Sequence, residues 1–158
     1  MKRNYLNQTE NPDCQYDSDK DCCVCPECVN IKFYRCEICG QIVASIGELA
    51  NPISCCGKEV QELIPGSVDA KPEYHIPVCT KSGHKLIVEI GELEHPALEE
   101  HHIEWICLVT NFGIQWHPLS FDDEPCTIFR LRGNEKVLAV YAHCNKHGLW
   151  CCSDCCRR

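Results

Sequence analysis

The sequence has no long apolar run and no excess of basic residues. Nowhere do its 158 residues provide the roughly 18 consecutive apolar residues that a membrane-spanning helix needs. The first ten residues carry Lys2 and Arg3 but no apolar segment of the kind found in secretory signals. The 15 basic and 23 acidic residues give a net charge of -8, which opposes binding to nucleic acid or to an anionic membrane. We therefore expect a cytoplasmic protein that binds neither.

Cysteine, by contrast, is abundant, with 17 residues in 158. In a short secreted protein this would suggest a disulfide scaffold, whereas in the reducing cytosol dense cysteine is more often metal-binding or redox-active. The length permits one ordinary core, or a small sandwich joined to a module too small to be stable without a metal. We favour the second, because residues 33–64 offer only short apolar pieces between two cysteine pairs.

Beyond Pro65-Gly66 the sequence becomes strand-like. Four runs are rich in β-branched and aromatic residues, and turn-forming residues separate several of them. The runs are residues 85–90, 103–109, 127–131 and 136–141. Short strands at this spacing predict an all-β chain that contains an antiparallel sandwich.

Two cysteine pairs provide four thiolates from two loops, enough to enclose one tetrahedral ion. They are Cys36-x2-Cys39 and the adjacent Cys55-Cys56. Zinc would make the site structural, and zinc ribbons usually repeat the spaced pair rather than use adjacent cysteines. Adjacent cysteines can also form a strained disulfide, a reading that a reducing compartment disfavours. The residues by themselves leave zinc and iron open.

A second candidate site combines four histidines with one cysteine. A single histidine is weak evidence for a ligand, but these residues lie in loops and at strand ends, where a rigid sandwich positions functional side chains. Four neutral imidazoles and one thiolate suit iron and leave one of six octahedral positions open. The five residues are His75, His95, His101, Cys144 and His147. We expect no metal-binding role for His84, His102, His117 or His143.

The strings around these residues resemble a known family. Residues 73–78 read EYHIPV, residues 95–105 read HPALEEHHIEW and residues 144–148 read CNKHG, which together resemble the iron site of superoxide reductases. Upstream, the CxxC and CCG motifs at residues 36–39 and 55–57 resemble the iron-sulfur knot of desulforedoxin. Their order is similar to that of desulfoferrodoxin, the two-iron form of superoxide reductase, over roughly residues 31 to 150.

The resemblance implies a division of the chain. A cysteine-rich irregular extension would span residues 1–30, and a cysteine-rich tail residues 151–158. Between them, an Fe(Cys)4 domain similar to desulforedoxin would span residues 31–66. An immunoglobulin-like β-sandwich carrying an Fe(His)4(Cys) centre would span residues 67–150.

The resemblance also implies an activity. The family reduces superoxide by one electron to hydrogen peroxide at a ferrous centre, and an external donor such as rubredoxin reduces the ferric product again. The four-cysteine iron carries electrons, and homodimers are the family habit. By resemblance the four histidines lie in the equatorial plane and Cys144 lies axially, opposite the open position. Glu73 matches a loop glutamate that occupies this position after oxidation.

One family position differs in this sequence. The residue after the loop glutamate is usually a lysine that attracts superoxide, and here it is Tyr74. Lys71, three residues earlier, is our candidate for bringing an ammonium group to the same mouth, and Lys146 is a second candidate. For each of these residues, and for Glu73, the alternative is an ordinary solvated side chain.

Eight further cysteines lie in two terminal clusters, Cys22 to Cys28 and Cys151 to Cys156. Metal-ligand spacing in both clusters predicts a third ion, zinc or iron, and the candidate ligands are Cys25, Cys28, Cys152 and Cys155. Redox-active thiols or a stress-induced disulfide are the competing readings. For the whole chain, two alternatives to the reductase remain open: a non-catalytic iron protein that carries electrons or senses redox state, and a structural zinc-binding interaction protein.

Overall fold

The computed structural model describes residues 31–152, and this part of the chain is built almost wholly from antiparallel strands. Five short strands come first: β1 Ile31–Arg35, β2 Ile42–Ile46, β3 Ser54–Cys55, β4 Lys58–Glu59 and β5 Gln61–Leu63. They form a three-stranded sheet in the order β2-β1-β5 and a β3-β4 hairpin. The two turns that carry the cysteine pairs belong to this module.

A sandwich of seven strands follows. After a 3-10 helix at Pro72–Tyr74 come β6 Pro77–Ser82, β7 Lys85–Ile90, β8 Ile103–Thr110, β9 Gly113–Pro118, β10 Cys126–Arg130, β11 Val137–Cys144 and β12 Gly148–Cys152. One sheet has the order β10-β7-β6 and the other the order β12-β11-β8-β9. The predicted all-β, immunoglobulin-like sandwich is therefore confirmed.

Burial explains why the strand sequences differ. β7 alternates between buried and exposed residues because only one of its faces meets the core. β8 and β11 are buried at nearly every position, and their sequences IEWICLVT and VLAVYAHC are almost continuously apolar. A strand with such a sequence is covered on both faces. Cys107, expected to be ordinary core, is fully buried in β8.

The second cover comes from the small module. Ile31 and Phe33 of β1 pack on the outer face of the four-stranded sheet, and Phe33 is only 1% exposed. Its ring centroid lies 5.1 Å from those of both Trp105 and Tyr141. The module, whose own apolar content is small, thus shares a core with the sandwich.

Two boundaries differ from the sequence-based description. Cys144 was expected in the loop after its strand, but it is the last residue of β11. β12 continues to Cys152 and pairs with β11 along its length. Two of the terminal cysteines, Cys151 and Cys152, therefore lie in the sheet.

Candidate metal centres

The four-cysteine cluster, Cys36, Cys39, Cys55 and Cys56, is brought together by two turns of the small module. Its sulfur atoms all lie within 4.8 Å of one another. The Sγ atoms of Cys39 and Cys55 are 3.5 Å apart, and those of Cys55 and Cys56 are 3.9 Å apart. A tetrahedral ion with metal-sulfur bonds of about 2.3 Å needs sulfur atoms about 3.8 Å apart. The cluster therefore has the size of a single tetrahedral site.

Left-handed backbone conformations allow these turns to converge. Gly40 has φ +73°, and its N-H donates to the carbonyl oxygen of Cys36 at 2.8 Å. Cys56 itself has φ +50°, followed by Gly57 at +76°. A non-glycine residue with positive φ is uncommon, and here it directs the second of two adjacent sulfurs toward the first pair.

The electrostatics of the cluster favour a cation. Backbone N-H groups of Cys39 and Ile38 point at the sulfur of Cys36 and lower the pKa of this thiol. The neighbouring sulfurs of Cys39 and Cys36 raise the pKa of Cys55. Four thiolates at these distances repel one another unless a positive ion lies between them. All four residues are free thiols in this structure, so it contains no Cys55-Cys56 disulfide.

The histidine-cysteine cluster, His75, His95, His101, Cys144 and His147, forms at one end of the sandwich. His75 ends the 3-10 helix, the next two residues lie in the β7–β8 connection, and the last two lie at the end of β11 and in the turn before β12. The ligand atoms of the first four lie within 4.8 Å of one another. His147 completes the set, because its Nδ1 is 2.9 Å from Nε2 of His75 and 3.8 Å from Sγ of Cys144.

The four imidazoles form a closed ring around a centre. Going round the ring, neighbouring centroids are 4.6–4.9 Å apart and neighbouring planes meet at 74–87°. Across the ring, His75 and His101 are 6.1 Å apart. Two nitrogens at right angles around an ion at about 2.1 Å lie about 3.0 Å apart, close to the 2.9 Å between His75 and His147.

In His75 and His95, Nδ1 donates a hydrogen bond to the backbone, which leaves Nε2 available as a metal ligand. Nδ1-H of His75 donates to the carbonyl oxygen of Lys71 at 2.8 Å, and Nδ1-H of His95 donates to that of Pro96 at 2.8 Å. Nε2 of each ring therefore carries the lone pair. The buried Nε2 atoms of His95 and His101 have no hydrogen-bond partner. Such orphaned inward nitrogens fit an ion at the centre of the ring.

Cys144 closes one side of this ring. Its side chain is fully buried, and the N-H of His147 points at its sulfur at 3.4 Å. Burial raises the pKa of Cys144. Burial also lowers the pKa of His95 to about 4, so the His95 imidazole is neutral at pH 7, as a metal ligand must be. The indole N-H of Trp150 donates to the carbonyl oxygen of His147 at 3.0 Å and fixes the turn.

Two residues that position the loops were not identified from the sequence. Asn145 accepts the N-H of His102 at 3.0 Å and donates to the carbonyl oxygen of Glu99 at 3.3 Å, which ties the Cys144–His147 turn to the β7–β8 connection. Gly91, with φ +86°, lies so close to Tyr74 that a Cβ would come within 2.8 Å of its backbone. The sequence feature that could have indicated Asn145 is its position between the predicted ligands Cys144 and His147.

A cavity of about 320 Å³ adjoins the ring of imidazoles. His75, His101 and His147 line it, as do Lys71 and Tyr74. The ammonium of Lys71 lies 6.0 Å from the centre of the Tyr74 ring.

Two other charged candidates lie near this cavity. Lys146 is exposed, and its charge contributes, after burial, to the lowered pKa of His101 and His147. Glu73 is exposed on the 3-10 helix and is not among the residues that line the cavity.

The predicted third ion falls mainly outside the described residues. Cys25, Cys28 and Cys155 are not among residues 31–152, and Cys152 lies half-buried at the end of β12. The third site therefore stays a prediction. Within residues 31–152 the structure has no helix long and apolar enough to cross a membrane.

Known proteins resemble the chain in both sequence and fold. The family model for desulfoferrodoxin matches residues 67–153. The desulfoferrodoxin of Syntrophotalea carbinolica is 39% identical over 120 residues, which are 76% of this chain and 94% of that protein. The superoxide reductase of Thermococcus kodakarensis is 35% identical over 104 residues, covering 53% of this chain and 88% of that protein. The crystal structure of the superoxide reductase from Treponema pallidum superimposes with a TM-score of 0.69 at 30% identity, over 78% of this chain and 98% of that one. Because the family model matches the sandwich and the desulfoferrodoxin of Syntrophotalea carbinolica matches over most of its length, the chain belongs to the desulfoferrodoxin family.

Proposed function

We propose that the protein is a superoxide reductase, which adds one electron and two protons to superoxide and releases hydrogen peroxide. The observation that carries this proposal is the ring of four imidazoles with a buried cysteine sulfur beside it and an open cavity lined by three of its histidines. The names of the relatives from Thermococcus kodakarensis and Treponema pallidum support it. We expect the enzyme to be cytoplasmic and homodimeric.

The five residues of the histidine-cysteine cluster would hold an iron ion. When bound in the ferrous state, the ion would supply the single electron that the reaction requires. The chain's own contribution is access: Cys144 is fully buried, whereas the cavity beside His75, His101 and His147 gives a small anion a route to the ring. The neutral imidazoles and the thiolate would leave one position open on this side.

Lysine side chains would attract the anionic substrate to the cavity. Lys71 lies at the mouth beside Tyr74, which takes the place of the lysine expected there, and Lys146 contributes positive charge from the opposite loop. Glu73 would bind the open position once the iron is oxidised. It precedes His75 by only two residues, so a modest movement of the exposed side chain would bring its carboxylate to the cavity.

The four-cysteine cluster would hold the second iron and carry electrons. Four thiolates leave no position for substrate, which limits this site to electron transfer. Cys39 and Cys56 are exposed, so a donor such as rubredoxin could approach the cluster from solvent. The domain bounds 31–66 and 67–150 are part of this proposal.

The test is the metal content and visible spectrum of protein purified without oxygen, followed by rapid mixing with superoxide. We expect two irons per chain, thiolate-to-ferric absorption bands, and one hydrogen peroxide for each superoxide consumed, with no dioxygen formed. Zinc alone would contradict the proposal. Two irons that do not react with superoxide would indicate the alternative electron carrier or redox sensor.

A further inference from the structure

A hydrogen-bonded polar pair lies next to the histidine-cysteine cluster without belonging to it. Nδ1-H of His143, in β11, donates to Oε2 of Glu104, in β8, at 2.7 Å. The His143 side chain is completely buried, while that of Glu104 is 34% exposed. His143 immediately precedes Cys144, and the register of β8 and β11 shifts between these two residues: His143 pairs with Trp105 and Cys144 with Ile103, so Glu104 is the extra residue of β8 at this bulge.

Aromatic packing fixes the imidazole of this pair. The rings of His143 and Trp105 are nearly parallel, at 10°, with centroids 5.3 Å apart. Trp105 stacks in turn on Trp116 at 4.3 Å. The imidazole therefore has little freedom to turn, and its hydrogen bond holds the carboxylate of Glu104 in one place.

The carboxylate held in this way is ionised. The hydrogen bond from His143 lowers the pKa of Glu104. The positive charge of Arg35 acts in the same direction. Because the pair is partly buried, solvent screens its charge less than it screens an exposed carboxylate. Glu104 directly follows Ile103, the residue of β8 that pairs with Cys144.

We propose that the fixed negative charge of Glu104, held by His143, lowers the reduction potential of the metal centre at the histidine-cysteine cluster. A nearby negative charge stabilises the more positive, oxidised state of an ion over its reduced state. Glu104 and His143 are thus positioning residues that set how readily the centre gives up its electron. This inference rests on the proposed iron site.

The experiment separates the charge of Glu104 from its hydrogen bond. In Glu104→Gln the amide oxygen can still accept Nδ1-H of His143, but the negative charge is gone. Spectroelectrochemical titration of the two-iron variant should show a higher reduction potential than in wild type for the iron at the histidine-cysteine cluster. The potential of the four-cysteine iron in the same molecule should stay unchanged and serves as the internal reference.

Glu100→Gln is the matched control. Glu100 is exposed, and its charge also acts on a predicted ligand, His101. Its removal should shift the potential less, and added salt should abolish the shift. Equal potentials in wild type and Glu104→Gln, or equal shifts in Glu104→Gln and Glu100→Gln, would overturn the inference.

A second variant covers the case in which Glu104→Gln does not fold. His143→Phe keeps an aromatic ring against Trp105 but removes the donor, so the carboxylate can turn toward solvent. The potential of the second centre should rise here too, and an unchanged potential would remove His143 from the inference. If the wild-type second cluster holds no iron, the proposed function fails, and this inference fails with it.

Discussion

A substitution at Cys144 should affect only one of the two proposed metal centres. Cys144 alone adds a thiolate to the histidine-cysteine cluster, since the other four donors are imidazoles. Cys144→Ser should lower the rate of superoxide reduction to the background rate. It should also remove the thiolate-to-iron absorption band of this centre. Absorption from the four-cysteine centre should remain, and measuring both bands in one spectrum checks the prediction. Full activity in the variant would show that Cys144 is not a ligand.

The lysines near the cavity give a second prediction at this scale. Lys71→Ala should slow the bimolecular step with superoxide and weaken its dependence on ionic strength, because attraction of an anion is a screened Coulomb effect. Stopped-flow or pulse-radiolysis rates at several salt concentrations measure both quantities. Lys146→Ala is the matched variant from the opposite loop. Equal rates and salt slopes in all three proteins would mean that neither lysine attracts the substrate.

Candidate ligands were easier to recognise in the sequence than the residues that support them. His75, His95 and His101 lie in strings with a recognisable order, and the structure brings them together. Glu104 and His143 are 39 residues apart, and nothing in their spacing indicates that they form a hydrogen bond. Such a pair arises from the register of β8 and β11, which places His143 opposite Trp105.

Among the elements, the 3-10 helix Pro72–Tyr74, whose C-terminal cap is His75, lies against Gly91. The N-H of Gly91 donates to the carbonyl oxygen of Ile76 at 3.1 Å, and a Cβ on Gly91 would also meet the carbonyl oxygen of Leu93. Gly91→Ala should therefore displace the helix and loosen the second metal centre. We expect a faster loss of its iron to a chelator, with the four-cysteine iron unaffected.

Gly83→Ala is the control for this substitution. Gly83 also has a positive φ, +59°, but a Cβ there would meet no atom within 4 Å. Alanine should cost about 1 to 2 kcal/mol of backbone strain at either site. Urea unfolding should therefore show that both variants lose free energy of unfolding. The loss should be larger for Gly91→Ala, because its Cβ also meets neighbouring backbone atoms. Equal iron release from the two variants would contradict the proposed role of Gly91.

Four of the seven strands of the sandwich were predicted from the sequence. Residues 85–90 and 103–109 agree closely with β7 and β8. β9, Gly113–Pro118, was not predicted, because it is an edge strand in which no residue is fully buried and its apolar side chains remain largely exposed. β6 was missed as well, since only its first half contributes to the core.

At the scale of the whole molecule, the small module has two separate sources of stability. Phe33 anchors β1 in the core of the sandwich, whereas the turns at Cys36–Cys39 and Cys55–Cys56 have little apolar surface to bury. Cys39→Ser should therefore remove the first iron and increase hydrogen exchange of residues 36–63 by at least about tenfold, or about 1.4 kcal/mol of local stability. Exchange in β8 and β11, measured by mass spectrometry, should change little. Comparable loss of protection in the sandwich would mean that the module and the sandwich unfold as one unit.

The sequence alone predicted the fold class and the two groups of cysteine and histidine residues that the structure brings together. Ligand side chains are chemically distinctive, and short motifs hold them at spacings that can be read without a structure. Alternation and β-branched content predicted the strands in the same way, because these patterns reflect local geometry.

Only the tertiary structure decided how these parts meet. It brought the four imidazoles into a ring beside a buried cysteine and an open cavity, and it placed Phe33 against Trp105 so that two predicted domains share a core. It also set the fixed charge of Glu104 beside the strand that ends at Cys144. These arrangements depend on contacts between residues far apart in the chain, which strand pairing and packing determine and which no local pattern encodes.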